Sequence, residues 1–354
     1  MTNLIKKAME VGFDKRVKPS MFLSNLFEKV MLDTIKVEVQ GRSVKSIYSV
    51  DTQLGTGGRR VDLSSYDKKE FVVPEYNNFV TITEKDVFNA QFGENEYQVQ
   101  ANIAKTINDG QEIISDMHRR AEEKQASDAI FNGKIVLADG TKIEFNKKAT
   151  HTISKSAAKW NTTNGKPITD IKNACKLCIT DGKLAISEFN LILSGDALAA
   201  FLANAEVKEN ADFSKGIKRT DINMPVEMTP GAMFHGQISC GSYRVNVWSY
   251  EEEYTIPTGY GFANEGATVG YIPQGCAALL PIKTSFKKYY AAINNVNAST
   301  LLGGSKLQLV KKEQLPYCYD ELQNGSALTK AGVKSRPLYV PVDADEFATF
   351  KDLV

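Results

Sequence analysis

The sequence has few cysteines, no long hydrophobic run, no export signal and almost no net charge. Five cysteines in 354 residues, an odd number, fit a reducing compartment better than a disulfide framework. Forty-three basic residues against 42 acidic ones leave a net charge of +1, which argues against a protein that binds nucleic acid by neutralising phosphates. The longest apolar stretches, such as Cys276–Ile282, are shorter than the roughly 18 residues that cross a bilayer.

The N-terminal region does not have the pattern of a signal peptide. Met1–Ser20 carries charged side chains, among them Lys6, Lys7 and Glu10, where a signal peptide has an uninterrupted apolar region. Charged residues make up 24% of the chain and hydrophobic residues 42%, which is ordinary for a globular protein and excludes wholesale disorder. We therefore expect a folded intracellular protein with one large domain or two ordinary ones.

The first part of the chain predicts an arm followed by a long two-stranded ribbon. Residues 1–35 contain a mildly amphipathic segment, and from Ile35 to about Thr83 the hydrophobic period falls to two, as in Val37 and Val39. A glycine-rich tip, Gly55-Thr56-Gly57-Gly58-Arg59-Arg60, separates the two halves. Because isolated two-stranded ribbons are marginally stable in water, we expect this one to pack on something else, and another copy of the chain is a candidate.

The next segment predicts one long helix from about Glu96 to Phe131. Apolar residues recur there at helical spacing, namely Ile103, Ile107, Ile114, Met117 and Ala121. Asn132-Gly133 then favours a left-handed end to the helix. Two alternating segments follow, Lys134–Ala138 and Thr141–Phe145, on either side of Asp139-Gly140, the dipeptide that a type I′ hairpin turn prefers.

Residues 165–290 predict a compact unit of helices and strands. Periodicity indicates helices at Pro167–Leu177 and Asp196–Ala205, and strands at Phe189–Leu193, Tyr243–Tyr250 and Ala277–Leu280. The C-terminal part returns to strands at Lys306–Val310, Leu315–Tyr319 and Leu338–Val342.

The residues that commonly carry catalysis or bind metals do not form a constellation. Cys175 and Cys178 have the spacing of a redox or zinc half-site, but the other cysteines are single and distant. Helical spacing places the two thiols one turn apart on an apolar face. A free cysteine behaves there as a small hydrophobic residue, so we expect this pair to pack in the core. His118, His151 and His235 are isolated, so neither a zinc helix nor a catalytic triad assembles by local spacing. The sequence predicts no catalytic, cofactor-binding or metal site.

Three further patterns resemble catalytic or ligand-binding motifs but are better explained in other ways. Ser156-Ala157-Ala158-Lys159 has the spacing of acyl-serine enzymes but lacks their partner motifs. The glycines at 55, 57 and 58 are not followed by Lys-Ser/Thr and a helix, so a hairpin tip is preferred to a phosphate cradle. The acidic clusters Glu251–Glu253 and Asp343–Glu346 lack the spacing of a calcium loop, which favours a solvated face or a salt bridge between subunits.

The order of these parts resembles that of the major capsid proteins of tailed bacteriophages, whose fold is of the Hong Kong 97 type. Within that fold the chain is most similar to the lambda-type family known as major capsid protein E. Short stretches along most of the chain carry the resemblance: Phe71–Tyr76 in the returning strand of the loop, Ala129–Lys134 at the end of the long helix, Ala199–Leu202 with Val207–Glu209 in a helix of the axial domain, Tyr243–Tyr250 with Tyr271–Ala277 in the strands that follow, and Pro341–Phe347 in the closing segment.

The resemblance implies an α+β capsid fold of the Hong Kong 97 type with five parts. These are an N-terminal arm (1–35), an extended β-hairpin loop (36–90), a peripheral domain with a long spine helix and a hairpin (91–162), an axial α/β domain (163–295), and return strands that complete the peripheral domain (296–354).

The resemblance also implies a function. A major capsid protein is a structural protein, not an enzyme, and it self-assembles into hexamers and pentamers that form an icosahedral shell around phage double-stranded DNA. The implied partners are further copies of the chain, a separate scaffolding protein, a portal and, as a further candidate, a decoration protein. No cofactor, sequence-specific DNA contact or membrane is implied. The implied location is the virion capsid, after assembly in the cytoplasm of the bacterial host.

Eight residues are candidates for subunit interfaces under this hypothesis. All eight lie in segments that would meet a neighbouring subunit. They are Gly57, Gly58, Arg59 and Arg60 at the tip of the loop, Lys68 and Lys69 on its returning strand, and Asp345 and Glu346 in the acidic cluster near the C-terminus.

Two other functions stay open at this point. One is an encapsulin-type compartment of the same fold, which packages an enzyme instead of DNA. The other, from a different class, is an intracellular hydrolase with a site assembled in space within residues 165–290. Replacing His151 or His235 would abolish turnover in the hydrolase and would leave the assembly of a shell protein untouched.

Overall fold

A computed structural model describes residues 20–32, 34, 36–42, 66–81, 96–211, 220–229, 231–262, 264–292, 317–324 and 327–354. In these ranges the α-helices are α1 (Glu96–Ser127), α2 (Pro167–Gly182), α3 (Gly195–Ala203) and α4 (Ala205–Ala211). The strands are β1 (Glu28–Met31), β2 (Lys36–Arg42), β3 (Tyr66–Val72), β4 (Tyr76–Thr81), β5 (Lys134–Val136), β6 (Lys142–Glu144), β7 (Thr152–Ser154), β8 (Glu188–Leu193), β9 (Thr220–Thr229), β10 (Ala232–Cys240), β11 (Tyr243–Tyr250), β12 (Glu253–Thr255), β13 (Thr268–Gly270), β14 (Ala277–Pro281), β15 (Phe286–Tyr290), β16 (Tyr317–Asn324), β17 (Ala327–Ser335), β18 (Pro337–Pro341) and β19 (Ala348–Lys351).

The long helix predicted from the sequence is present as α1 and is followed by a π-helical turn at Asp128–Asn132. Gly133 ends it with φ +63° and ψ +15°, in the left-handed region that glycine adopts without a steric penalty. The predicted stop at Asn132-Gly133 is therefore confirmed. Of the apolar residues at helical spacing, Ile114 faces the core, whereas Met117 is exposed.

The predicted hairpin after the helix is also present, but its turn differs. Ile135 lies opposite Ile143, and the Leu137 amide donates to the Thr141 carbonyl. Three residues therefore lie between the last paired positions, and only Gly140, with φ +82°, is left-handed. A type I′ turn needs two left-handed residues, so the expected turn type was wrong. The Asp139 carboxylate accepts from both the amide and the hydroxyl of Thr141, which stabilises the three-residue form.

A seven-stranded mixed sheet forms the larger layer, in the order β7-β19-β14-β8-β11-β10-β9. Strands β8 and β11 are parallel, as are β7 and β19, whereas the other neighbours are antiparallel. Helix α2 packs on β10 and β14, and the predicted helices and strands of residues 165–290 are confirmed. The core between them includes the buried aromatic side chains Trp160, Phe189, Phe201 and Phe350.

A second core lies against the C-terminal half of α1. The sheet β1-β15-β18 lines it, with β1 parallel and β18 antiparallel to β15. Aromatic rings fill the space, since Phe27 contacts Phe286 and Tyr339 at centroid distances of 4.9 and 5.1 Å. The segment just after residue 20 is thereby part of the body of the protein.

The base of the predicted ribbon is formed by β2 and β3, which pair antiparallel from Lys36↔Val72 to Arg42↔Tyr66. Val37 and Val39 are buried, and the ring of Phe71 lies 6.0 Å from that of Phe145. The ribbon base is therefore anchored on the hairpin β5-β6 of its own chain. Strand β4 belongs to another sheet, where it pairs with β17, which in turn pairs with β16.

None of the helices in the described ranges combines the length and the apolar composition of a membrane-spanning segment.

Candidate functional site

Cys175, Cys178, Cys240 and Cys276 are free and buried. Cys175 and Cys178 are buried on α2, and the predicted core role of this pair is confirmed. Burial raises the pKa of the Cys178 and Cys240 thiols to about 12, so the thiolate that reacts or binds metal is not formed at neutral pH. Nowhere in the described part of the chain do three His, Cys, Asp or Glu side chains come together as a possible metal site.

The three histidines are buried and lie apart. His118 Nδ1 is 2.6 Å from Ser335 Oγ, and His235 Nε2 is 2.8 Å from Ser249 Oγ. A nucleophilic serine must be reachable by its substrate, yet both serines are buried. His151 connects the Asp181 carboxylate and the Phe347 carbonyl, at 3.1 and 2.8 Å. These contacts are structural, and none supports the hydrolase alternative.

A buried carboxylate on α1 holds the N-terminal segment. The carboxylate of Glu123 is inaccessible to solvent and accepts from the amides of Leu23 and Ser24, at 2.7 and 2.9 Å. The Tyr250 hydroxyl lies 3.0 Å from the same carboxylate and 2.8 Å from that of Glu252. One side chain of α1 therefore connects the segment after residue 20 to the end of β11.

The neighbouring glutamate extends this cluster. Glu122 is also buried, and its Oε2 accepts from the hydroxyls of Tyr290 and Tyr339, at 2.8 and 2.7 Å. Because the Tyr339 proton is given to Glu122, the Ser24 hydroxyl at 2.6 Å donates to the Tyr339 oxygen. We call Glu122, Glu123 and the groups that donate to them the carboxylate cluster. It connects four segments: residues 20–26, α1, β11 and the sheet β1-β15-β18.

The carboxylate cluster gives a pH prediction. Burial raises the pKa of Glu123 to about 7, from 4.5. The folded state therefore binds this proton more tightly than the unfolded chain, so the contribution to stability is complete below about pH 4.5 and is lost as the pH rises through about 7. Relative to Glu123→Gln, the wild type should lose about 2–3 kcal/mol of unfolding free energy between about pH 5 and about pH 8.

Denaturant unfolding of both proteins at the two pH values measures this difference. Other groups with shifted pKa values, such as His118 and Lys147, are common to both proteins and cancel in the comparison. A difference that does not change with pH would show that Glu123 does not titrate in this range.

Of the predicted interface residues, the structure describes the positions of Lys68, Lys69, Asp345 and Glu346. Lys68 and Lys69 lie on β3, at register positions opposite Gln40 and Val39. Gly57, Gly58, Arg59 and Arg60 lie outside the described residues.

The two acidic candidates have partners within the chain. Asp345 forms an ion pair with Lys148 at 2.7 Å, and the Glu346 carboxylate accepts from the Ser285 amide at 3.1 Å. Lys148 also lies 3.5 Å from Asp181 on α2, so this network joins the segment before β19 to the larger layer. Their participation in a subunit interface stays a prediction.

Sequence reasoning missed one further exposed feature, the loop between β12 and β13. Residues 256–262 and 264–267 of this loop are described, and Tyr260 at its tip is 64% exposed. Its sequence signal is a run from Ile256 to Ala263 with no charged side chain and with glycines at 259 and 261. We call residues 256–267 the Glu265 loop, after the side chain that organises it.

Both a protein-family model and solved structures match this chain. The family model for phage major capsid protein E matches residues 14–351. A prophage capsid protein from Escherichia coli CFT073 superposes with a TM-score of 0.63 at 14% identity, covering 99% of this chain and 98% of the other. That likeness shows a shared fold.

Other solved structures are more distant. A phage-related protein from Bordetella bronchiseptica RB50 has a TM-score of 0.49 at 10% identity, with 98% of this chain and 96% of the other covered. An encapsulin from Synechococcus elongatus PCC 7942 has a TM-score of 0.43 at 14% identity, with 95% and 91% covered. No curated protein sequence matches the chain.

Proposed function

The chain belongs to the phage major capsid protein E family, and we propose that it self-assembles into hexamers and pentamers that form an icosahedral shell around phage double-stranded DNA. The family match over residues 14–351 carries this proposal. The family consists of structural capsid proteins, so the prediction that the chain is not an enzyme is confirmed. The match favours a phage shell over the encapsulin alternative.

The ribbon base and the segment after residue 20 are both anchored to the rest of the chain, and this supports the proposed function. The ribbon base is fixed on β5-β6, and the segment after residue 20 is fixed by the carboxylate cluster. Residues 1–19 and 43–65 thus continue from points that are firmly held. A contact that these segments made with a neighbouring subunit would therefore act on both cores. Contacts between different surfaces of identical chains close into rings, which is the geometry of hexamers and pentamers.

Further partners follow from the same proposal. A separate scaffolding protein would set the curvature of the shell, a portal would occupy one vertex, and a decoration protein is a further candidate for the outer surface. Assembly would take place in the cytoplasm of the bacterial host, and the mature location would be the virion capsid. The near-zero net charge suits a container that holds DNA by enclosure instead of affinity.

The interface role of the loop tip can be tested by charge reversal. We expect the double substitution Arg59→Glu and Arg60→Glu to leave the melting temperature of the unassembled protein unchanged and to reduce the yield of shells about tenfold or more, because the tip charges should meet a neighbouring subunit. Sucrose-gradient sedimentation after expression with the scaffolding protein measures the yield.

The matched control reverses two charges in the exposed body, Lys142→Glu and Lys166→Glu. It changes the net charge by the same amount. If the double arginine variant formed shells as well as this control, the loop tip would not be a critical contact.

A further inference from the structure

The Glu265 loop is carried on a short hairpin that is fixed to the end of α1. Strands β12 and β13 pair from Glu253↔Gly270 to Thr255↔Thr268. At the base, the rings of Tyr254 and Tyr271 lie 5.0 Å apart, and the Ser127 hydroxyl of α1 donates to the Tyr271 carbonyl. The hairpin therefore starts from a rigid support.

The backbone of the loop is organised by a single carboxylate. Glu265 accepts from the amides of four consecutive residues, Gly259, Tyr260, Gly261 and Phe262. These hydrogen bonds, that of Gly259 above all, lower the pKa of Glu265, so the carboxylate is ionised at neutral pH. Gly259 and Gly261 have φ values of +87° and +76°, and this left-handed geometry lets the successive amides converge on one acceptor.

The ordered backbone presents an uncharged aromatic tip. Tyr260 is 64% exposed, and its ring centroid lies 6.2 Å from that of Phe262. From Ile256 to Ala263 the sequence has no charged side chain, although charged residues make up 24% of the chain. The centres of protein–protein contacts are enriched in aromatic residues and depleted in charge. A loop that is already ordered before binding loses less conformational entropy on contact.

The chemistry of the tip excludes an anionic ligand. The four amides that could hold a phosphate are already used by Glu265, and the run from Ile256 to Ala263 contains no lysine or arginine. DNA is therefore not the partner of this surface. A protein surface with exposed apolar side chains is the occupant that fits.

We propose that the aromatic tip of the Glu265 loop is a contact between copies of this chain, an inference that rests on the proposed shell function. In a shell, the protein that surrounds each copy most abundantly is the same chain. A contact between different surfaces needs an acceptor elsewhere on that chain. Away from the loop, the described residues expose large apolar side chains, including Val72, Ile113 and Met117. One copy of the chain can therefore supply the tip, and another copy can supply the apolar surface that accepts it.

Substitution at the tip gives the first test. Tyr260→Ser should raise the protein concentration needed for shell formation about tenfold or more, since tyrosines at the centre of a contact commonly contribute at least that factor. Tyr260→Phe should stay within about twofold of the wild type, because the ring is retained. The control Lys142→Ser removes an exposed polar side chain from the hairpin β5-β6. The melting temperature of each unassembled protein reports on folding.

Photo-crosslinking gives the second test. With p-benzoylphenylalanine in place of Tyr260, irradiation of assembled particles should join two copies of this chain. Cross-links only to another protein, or normal assembly of Tyr260→Ser, would overturn the inference and leave the proposed function intact. If the wild type formed no particles under any assembly condition, the proposed function would fail, and this inference with it.

Discussion

Glu123→Ala should lower the free energy of unfolding by about 4 kcal/mol at about pH 6, because it leaves buried donors without an acceptor. The amides of Leu23 and Ser24 donate to this carboxylate from positions that are inaccessible to solvent. Tyr250 loses one of its two acceptors and keeps Glu252. At this pH the carboxyl group, whose pKa is about 7, is mostly protonated, so relief of a buried charge does not mask the loss.

Denaturant unfolding measures this effect, and two variants control it. Glu123→Gln keeps the shape and one acceptor oxygen, and it should lose less than half as much stability. Glu144→Ala removes an exposed glutamate from β6 and should stay within about 0.5 kcal/mol of the wild type. A loss of less than about 1 kcal/mol for Glu123→Ala would contradict the assigned role of the carboxylate cluster.

The substitution Glu123→Ala should also reduce the assembly of particles. Residues 1–19 join the body at the segment that Glu123 holds. Particles of Glu123→Ala should therefore form less readily than those of Glu144→Ala, even at temperatures at which both chains are folded.

Gly133→Val should lower the free energy of unfolding by about 3 kcal/mol or more. The residue has φ +63°, a conformation that β-branched side chains resist. An added Cβ would also lie 3.0 Å from Cβ of Lys147. Lys147 cannot easily move away, since its ammonium group donates to the Ile130 carbonyl and the Thr349 hydroxyl at 3.2 and 2.6 Å.

Gly140 provides the matched control for this substitution. Its φ is +82°, but an added Cβ would meet nothing within 4 Å. Gly140→Val should therefore lose stability only because its backbone is strained. The difference in unfolding free energy between the two variants then measures the cost of the contact with Lys147. Gly133→Asn should be milder, because asparagine tolerates left-handed geometry. Unchanged thermal stability of Gly133→Val would show that the helix ends elsewhere.

Local features of the fold could be predicted from the sequence because local chemistry determines them. The end of α1 follows from Gly133, and β8 follows from the apolar run that begins at Phe189. The turn of the β5-β6 hairpin was predicted incorrectly because the hydrogen bonds from Thr141 to Asp139 compete with the preference of the Asp-Gly dipeptide.

The inward face of α1 was missed for a different reason. Ser115, His118 and Glu122 follow Ile114 at helical spacing and are buried, whereas Met117 is exposed. Hydrophobic periodicity assigns polar residues to solvent, so it cannot find a buried face on which Glu122 accepts from two tyrosine hydroxyls and His118 contacts the Ser335 hydroxyl, all far away in the sequence. The pairing of β19 with β7 and β14 is likewise a long-range property.

Charge alone does not show whether a side chain makes its contacts within its own chain or with a neighbouring subunit. Asp345 and Glu346 are acidic and close to the C-terminus, yet both have partners within the chain. The Glu265 loop has the reverse pattern, since its carboxylate is held by backbone amides and its tip is uncharged. A contact between subunits depends on two copies, and the single sequence marks it only through side chains that remain exposed on an ordered backbone.

Cryo-electron microscopy of the particles that the wild-type protein forms under assembly conditions tests the central claim most directly. The shell function predicts closed particles whose reconstruction contains this chain in rings of five and of six around the symmetry axes. A chain that remained a monodisperse monomer under every assembly condition, or that formed only particles without fivefold vertices, would contradict it.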